Sequence, residues 1–134
     1  LYEGSWAQDQ RHGAGVLYAA GGVPAYEGSF QNGKRHGSGK EFRANGSVFY
    51  EGGWVADQRD GEGKVFTAKR QLAFEGTFRM GKLNGLGKQY RSNGKVFYEG
   101  EWVDNQRHGQ GTLFSKAGKP AFTGQFRNGK PVRT

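Results

Sequence analysis

The chain has no cysteine, three prolines and one methionine in 134 residues. Without cysteine there is no disulfide framework, no thiolate zinc site and no cysteine nucleophile. Long apolar runs are missing as well: no stretch approaches the ~20 residues of a transmembrane helix or the ~7–15 of a secretory signal core. Hydrophobic residues are only 34% of the sequence, and within them ten Phe, six Tyr and three Trp outweigh Leu and Ile. Nineteen aromatics exclude plain disorder, which is poor in such residues. What the sequence has in excess is glycine. The 25 glycines are about 19% of the chain against a usual ~7%. Each would cost about 1 kcal/mol relative to Ala inside a helix, so a helical protein is excluded. The length admits one compact domain or one short repeat array, and the absent apolar runs and cysteines favour a cytoplasmic location.

The glycines recur every 24 residues. Rows starting at Tyr2, Tyr26, Tyr50, Phe74, Tyr98 and Phe122 each continue to Gly4, Gly28, Gly52, Gly76, Gly100 or Gly124. Two places later stand Trp6, Phe30, Trp54, Phe78, Trp102 and Phe126, and each full row then closes on a Gly-x-Gly such as Gly37 and Gly39. A third aromatic follows at Tyr18, Phe42, Phe66, Tyr90 and Phe114. Self-similarity of this kind is the mark of a repeat architecture. The unit is well represented by Tyr26-Glu27-Gly28-Ser29-Phe30-Gln31-Asn32-Gly33-Lys34-Arg35-His36-Gly37-Ser38-Gly39. It resembles the MORN repeat family, and the resemblance covers five full units and a truncated sixth across residues 1–134. The unit departs from the family's usual 23 residues. Asp9, Asp57 and Asn105 replace the first turn glycine, and Asp60 or Asn84 replaces the histidine.

The residues themselves specify strands. Period two places Tyr2 and Trp6 on one face and Glu3 and Ser5 on the other. Residues 8–12 supply a reversal, with Asp, Asn or Gly where positive φ is needed. A second strand runs from Gly13 to Tyr18, and a turn near Gly22, Gly46, Gly94 and Gly118 leads into the next unit. The expected fold is all-β, an elongated single-layer antiparallel meander of repeated β-hairpins. At ~4.8 Å per strand it extends roughly 50 Å. Glycine within a strand marks a close approach, and the visitor expected here is an aromatic ring of the same or the adjacent hairpin. Turn parity, and with it the face that the second strand shows, is not specified.

A second period of 48 overlies the first: Trp6, Trp54 and Trp102 alternate with Phe30, Phe78 and Phe126, while Ala25, Phe49, Ala73, Phe97 and Ala121 precede the first aromatic. Volume compensation between these columns is the expected cause. It makes two hairpins the structural unit.

Several motifs have ordinary explanations. Gly-x-x-x-x-Gly-Lys occurs at Gly28–Lys34, Gly76–Lys82 and Gly124–Lys130, but Arg35, Leu83 and Pro131 follow in place of the Ser or Thr of a phosphate loop, and no helix is expected there. His12, His36 and His108 lie about 10 Å apart or more, too far to share an ion. They read as turn-closing polar residues, and no metal or cofactor is expected. Glu3, Glu27, Glu51, Glu75 and Glu99 are a regular solvated stripe opposite the rings, and no catalytic set is recognisable. The chain is therefore expected not to be an enzyme, with an accessory place in a larger enzyme as an alternative.

Two surfaces carry functional expectations. The first is the row Tyr2, Trp6, Tyr26, Phe30, Tyr50, Trp54, Phe74, Phe78, Tyr98 and Trp102, an apolar strip on a sheet with no covering layer. Such strips mark interaction sites, with Tyr and Trp as anchors. A groove along it would take a helix or extended peptide from a protein partner. The second is a basic edge of Arg11, Lys34, Arg35, Arg59, Lys82 and Arg107 in a chain of net charge +8, able to hold an anionic, phosphoinositide-containing membrane or to select an acidic partner. Nucleic acid ranks lower because the rings are needed over the glycines. The resemblance to the family implies scaffolding, dimerisation, and cytoskeletal or membrane association without choosing among them. The chain opens inside a unit at Leu1-Tyr2 and stops inside another. It is expected to be a fragment, and uncovered ends would favour a homodimer.

Overall fold

The computed structural model describes residues 1–132. They form strands β1 (Tyr2–Ala7), β2 (Gln10–Tyr18), β3 (Pro24–Gln31), β4 (Lys34–Phe42), β5 (Val48–Val55) and β6 (Gln58–Phe66), then β7 (Leu72–Arg79), β8 (Lys82–Tyr90), β9 (Val96–Val103), β10 (Gln106–Phe114), β11 (Pro120–Arg127) and β12 (Lys130–Pro131). These make one 12-stranded sheet in strict sequence order, every neighbouring pair antiparallel. The described residues contain no helix. This is the open, single-layer meander that the glycine period specifies.

The reversal within each unit is shorter than residues 8–12. It takes two residues, both left-handed: Gln8 and Asp9 (φ 50 and 65), Asn32 and Gly33 (51 and 82), Ala56 and Asp57 (48 and 71), and so on to Asn128 and Gly129. Two positive φ values in a two-residue loop define a type I′ turn, whose twist matches that of the flanking strands. Pairing therefore resumes at once, with Ala7 opposite Gln10. Neighbouring tips are joined. The N–H groups of Gly33, Asp57, Gly81, Asn105 and Gly129 donate to the carbonyls of Arg11, Arg35, Arg59, Leu83 and Arg107, each in the preceding unit, at 2.9–3.0 Å. The Asp and Asn of alternate units do more than tolerate positive φ. Asp57 Oδ1 accepts the Arg35 N–H at 2.8 Å, and Asn105 Oδ1 accepts that of Leu83 at 2.9 Å.

The two-residue tip also settles the parity left open by the sequence. Tyr50 faces Val65, Gly52 faces Gly63 and Trp54 faces Arg59, with a bulge between Gly52 and Trp54. All of these lie on one face, and the glycine pair leaves a trough into which the tyrosine folds. Tyr50 Oη donates to the Gly53 carbonyl at 3.0 Å, and Tyr26 Oη to that of Ser29 at 2.9 Å. A Cβ on Gly39 would fall inside the van der Waals surface of Tyr26, and one on Gly63 inside that of Tyr50. The close visitor is thus the tyrosine of the same hairpin. Between hairpins the rings meet edge to face: Tyr2 on Phe30 at 5.1 Å, Tyr26 on Trp54 at 5.3 Å, Tyr50 on Phe78 at 5.1 Å and Tyr98 on Phe126 at 5.0 Å. Such pairs contribute about 0.5–1.5 kcal/mol each beyond the area they bury. This ring file is the core of the molecule.

The Phe49 and Phe97 part of the 48-residue period has a cause other than the expected volume compensation. Phe49 and Phe97 sit at bulges, between Glu41/Phe42 and between Gln89/Tyr90 of the facing strands. Neither packs on the Trp/Phe column. Each is held between two guanidinium groups, Phe49 by Arg43 and Arg59 (4.5 and 4.8 Å) and Phe97 by Arg91 and Arg107 (4.3 and 4.9 Å). Arg59 also makes two hydrogen bonds to Glu41, and Arg107 one to Gln89. Arg43, Glu41 and Phe49 recur 48 residues later as Arg91, Gln89 and Phe97, while the other units carry Ala, Thr or Ser, an aliphatic residue, and Ala. The double hairpin is a cation–π sandwich module.

Candidate functional site

The rings expected to line a partner groove are brought together, but not as a free surface. Tyr26, Phe30, Tyr50, Trp54, Phe78, Tyr98 and Trp102 are all buried, at most 5% exposed, and Tyr2 and Phe74 are half-buried. Of the ten, only Trp6 is exposed, at 60%. The sheet has no second layer of backbone, yet the basic column covers the rings. Arg35 lies 4.4 Å from the Trp54 ring and 5.8 Å from Tyr26, Arg11 lies 5.4 Å from Phe30, and Arg59 and Arg107 lie 5.2 and 5.4 Å from Tyr50 and Tyr98. In the fourth unit Leu83, buried, takes the arginine's place. Burial pushes the Tyr26 and Tyr50 hydroxyls up to about 12, the nearby Arg35 and Arg59 only partly opposing it.

The arginines of the basic edge are engaged within the sheet. Arg11, Arg35, Arg59 and Arg107 are not aimed outward as an anion-binding row. Arg11 donates to the Gly33 carbonyl at 2.7 Å, Arg35 pairs with Asp57 at 3.1 Å, Arg59 with Glu41 at 2.8 Å, and burial lowers Arg107 below its ordinary value. Burial would raise Asp57, but donation from the Arg35 N–H and guanidinium outweighs it and holds the carboxyl below its ordinary value. Lys34 and Lys82 are the exposed members of the set. The histidine column closes turns across units: His36 Nδ1 accepts the Ala56 N–H at 3.4 Å, and Asp60 does the same for Met80.

A depression lies on the opposite face. A groove of about 1030 Å³ runs across β5 to β10, floored by Gly52, Gly63, Gly76, Gly87, Gly100 and Gly111. A smaller extension of about 480 Å³ continues it over Gly28 and Gly39. The glycines that admit the tyrosines on one face expose bare backbone on the other. Two rows of side chains flank that floor. One is a ladder of directly paired residues, Glu27–Lys40–Glu51–Lys64–Glu75–Lys88–Glu99–Thr112. The other comprises Glu62, Thr77, Leu86, Glu101 and Gln110. Glu75 accepts the Tyr90 hydroxyl, and burial together with that bond raises Tyr90 to about 12. The glutamate stripe lies opposite the rings as the sequence placed it, exposed at Glu27, Glu51 and Glu99, and is also one wall of the groove. Its signal was present, since Lys40, Lys64 and Lys88 follow the second glycine of three successive units as a glutamate precedes the first.

Among known families, the MORN repeat matches residues 2–23, 26–48, 50–65, 74–96, 98–118 and 122–132. No curated protein matches the chain.

Proposed function

The chain belongs to the MORN repeat family, and on that premise we propose that it is a non-catalytic binding module that receives a segment of a protein partner, helical or extended, in the glycine-floored groove. The repeat is in general a protein- or membrane-interaction module and is itself non-catalytic. The observation that carries the reading is the groove itself. It has the volume of a binding cleft, exposes backbone along its floor, and holds Leu86, 69% exposed, at its centre. The ring face supports it less, being already filled by its own arginines.

A second reading, attachment to an anionic membrane, draws its support from Lys34, Lys82 and Lys130, exposed at the tips of alternate hairpins along one edge. Each basic residue near such a surface contributes about 1 kcal/mol. The two readings part on two variants. Leu86→Trp fills the groove and Lys34→Glu/Lys82→Glu reverses the edge. Under the proposal, proteins retained by the wild-type chain in a pull-down are lost with Leu86→Trp and kept with the lysine variant. Sedimentation with phosphatidylserine vesicles that depends on the lysines, with no protein captured through the groove, would replace the proposal by the membrane reading.

A further inference from the structure

The charge of the groove is opposite to that of the molecule. The chain holds twenty Lys and Arg against twelve Asp and Glu. Six of those twelve acids line the groove and its extension, with only three lysines among them. The rest of the chain keeps seventeen cations against six acids, so a negative furrow lies in a strongly positive body. A paired Glu/Lys ladder is by itself a means of stabilising a sheet, since opposite charges across strands attract. That account covers Glu51, Glu75 and their lysines. It does not cover Glu62 and Glu101, whose facing residues are Thr77 and Leu86. It does not cover the end of the ladder either, where Glu99 has Lys88 on one side and Thr112 on the other. The excess of negative charge therefore gathers around Leu86, on both sides of an exposed apolar side chain.

We infer that the groove selects a basic segment, one with lysines or arginines flanking an apolar residue that rests on Leu86. This builds on the groove reading above and reverses the acidic partner expected from the overall charge. The spacing is readable from the sheet. Glu62 lies on β6, Leu86 on β8 and Glu101 on β9, so the two acids are three strands apart, about 14 Å. Four residues of extended chain rise about 13 Å and return to the same face. Eleven residues of helix, about three full turns, rise about 16.5 Å. The matching segment thus carries cations four residues apart if extended or eleven apart if helical.

The test selects peptides from a random displayed library on the wild-type chain. It then measures the winners by fluorescence anisotropy against Leu86→Trp, which fills the groove, and Glu62→Gln/Glu101→Gln, which keeps its shape. Thr112→Trp is a second filled variant should Leu86→Trp melt lower than wild type. The expected result is that groove peptides, those lost on filling, are enriched in Lys and Arg at one of the two spacings. They should weaken about fivefold or more on the double Gln variant, as removal of two partly exposed charge pairs implies. Groove peptides without that enrichment, or indifferent to the double variant, overturn the inference and leave the groove reading standing. Peptides that bind the filled variants equally well, or none selected at all, overturn both.

Discussion

Glycine 39 has no side chain, and the space this leaves is occupied by the Tyr26 ring from the same hairpin. The pairing explains why the aromatic and glycine columns keep one phase: each tyrosine needs two missing side chains, Gly28 and Gly39 in this unit. Gly39→Ala should therefore lower stability by about 1–3 kcal/mol, the usual cost of overfilling a packed site. A urea melt measures it, and an unchanged midpoint would contradict the packing. This part of the molecule was legible in the residues, because ring and glycine sit in one repeat and their spacing is visible along a line of sequence. The exposure of the rings was not. A row of aromatics looks uncovered until Arg35 is placed on Trp54, a contact with the next hairpin. Its residue type suggested a ligand for anions. The planar guanidinium serves equally well as a lid.

At the scale of the hairpin, the tips and the outer loops obey different rules. Tips use two left-handed residues. The outer loops use a four-residue turn, such as the one in which the Gly46 N–H bonds the Arg43 carbonyl at 2.9 Å, closed by a residue of positive φ. Four of the five loops place glycine there, at Gly22, Gly46, Gly94 and Gly118, and the fifth places Arg70 at φ 67. A side chain in that conformation costs roughly 1–2 kcal/mol. Arg70→Gly should recover about 1 kcal/mol after allowing for the greater freedom of glycine in the unfolded chain. A rise in Tm of a few degrees checks it. The length of the tip was misjudged from sequence because Asp, Asn and Gly signal positive φ without saying how many residues share it. The two-hairpin period was visible, but its cause was not, since Phe49 meets Arg43 and Arg59 only after the strands pair.

In the whole molecule, stability rests on one file of rings, and titration should reveal it. Tyr26 and Tyr50 are pushed up to about 12 by burial, from an ordinary 10. The unfolded chain therefore loses these protons more readily than the folded one. Their contribution to stability is whole below pH 10 and drains as pH rises from 10 through about 12. Tyrosinate absorbance and loss of the β-sheet circular dichroism signal should rise together in that window. Full ionisation of these tyrosines near pH 10 in an intact sheet would contradict the burial. The location of the groove was the least legible feature, because it depends on parity. Only once the two-residue tip aligns Glu51 with Lys64 does a solvated stripe become a wall. The joined tips carry one more consequence. Each turn N–H donates to the unit before it, so the array has a sense of direction, and a unit finds its acceptor already built whenever its predecessor has folded. A chain leaving the ribosome from its N-terminus assembles in that order, each hairpin docking on finished structure, with no wait for sequence still to be made.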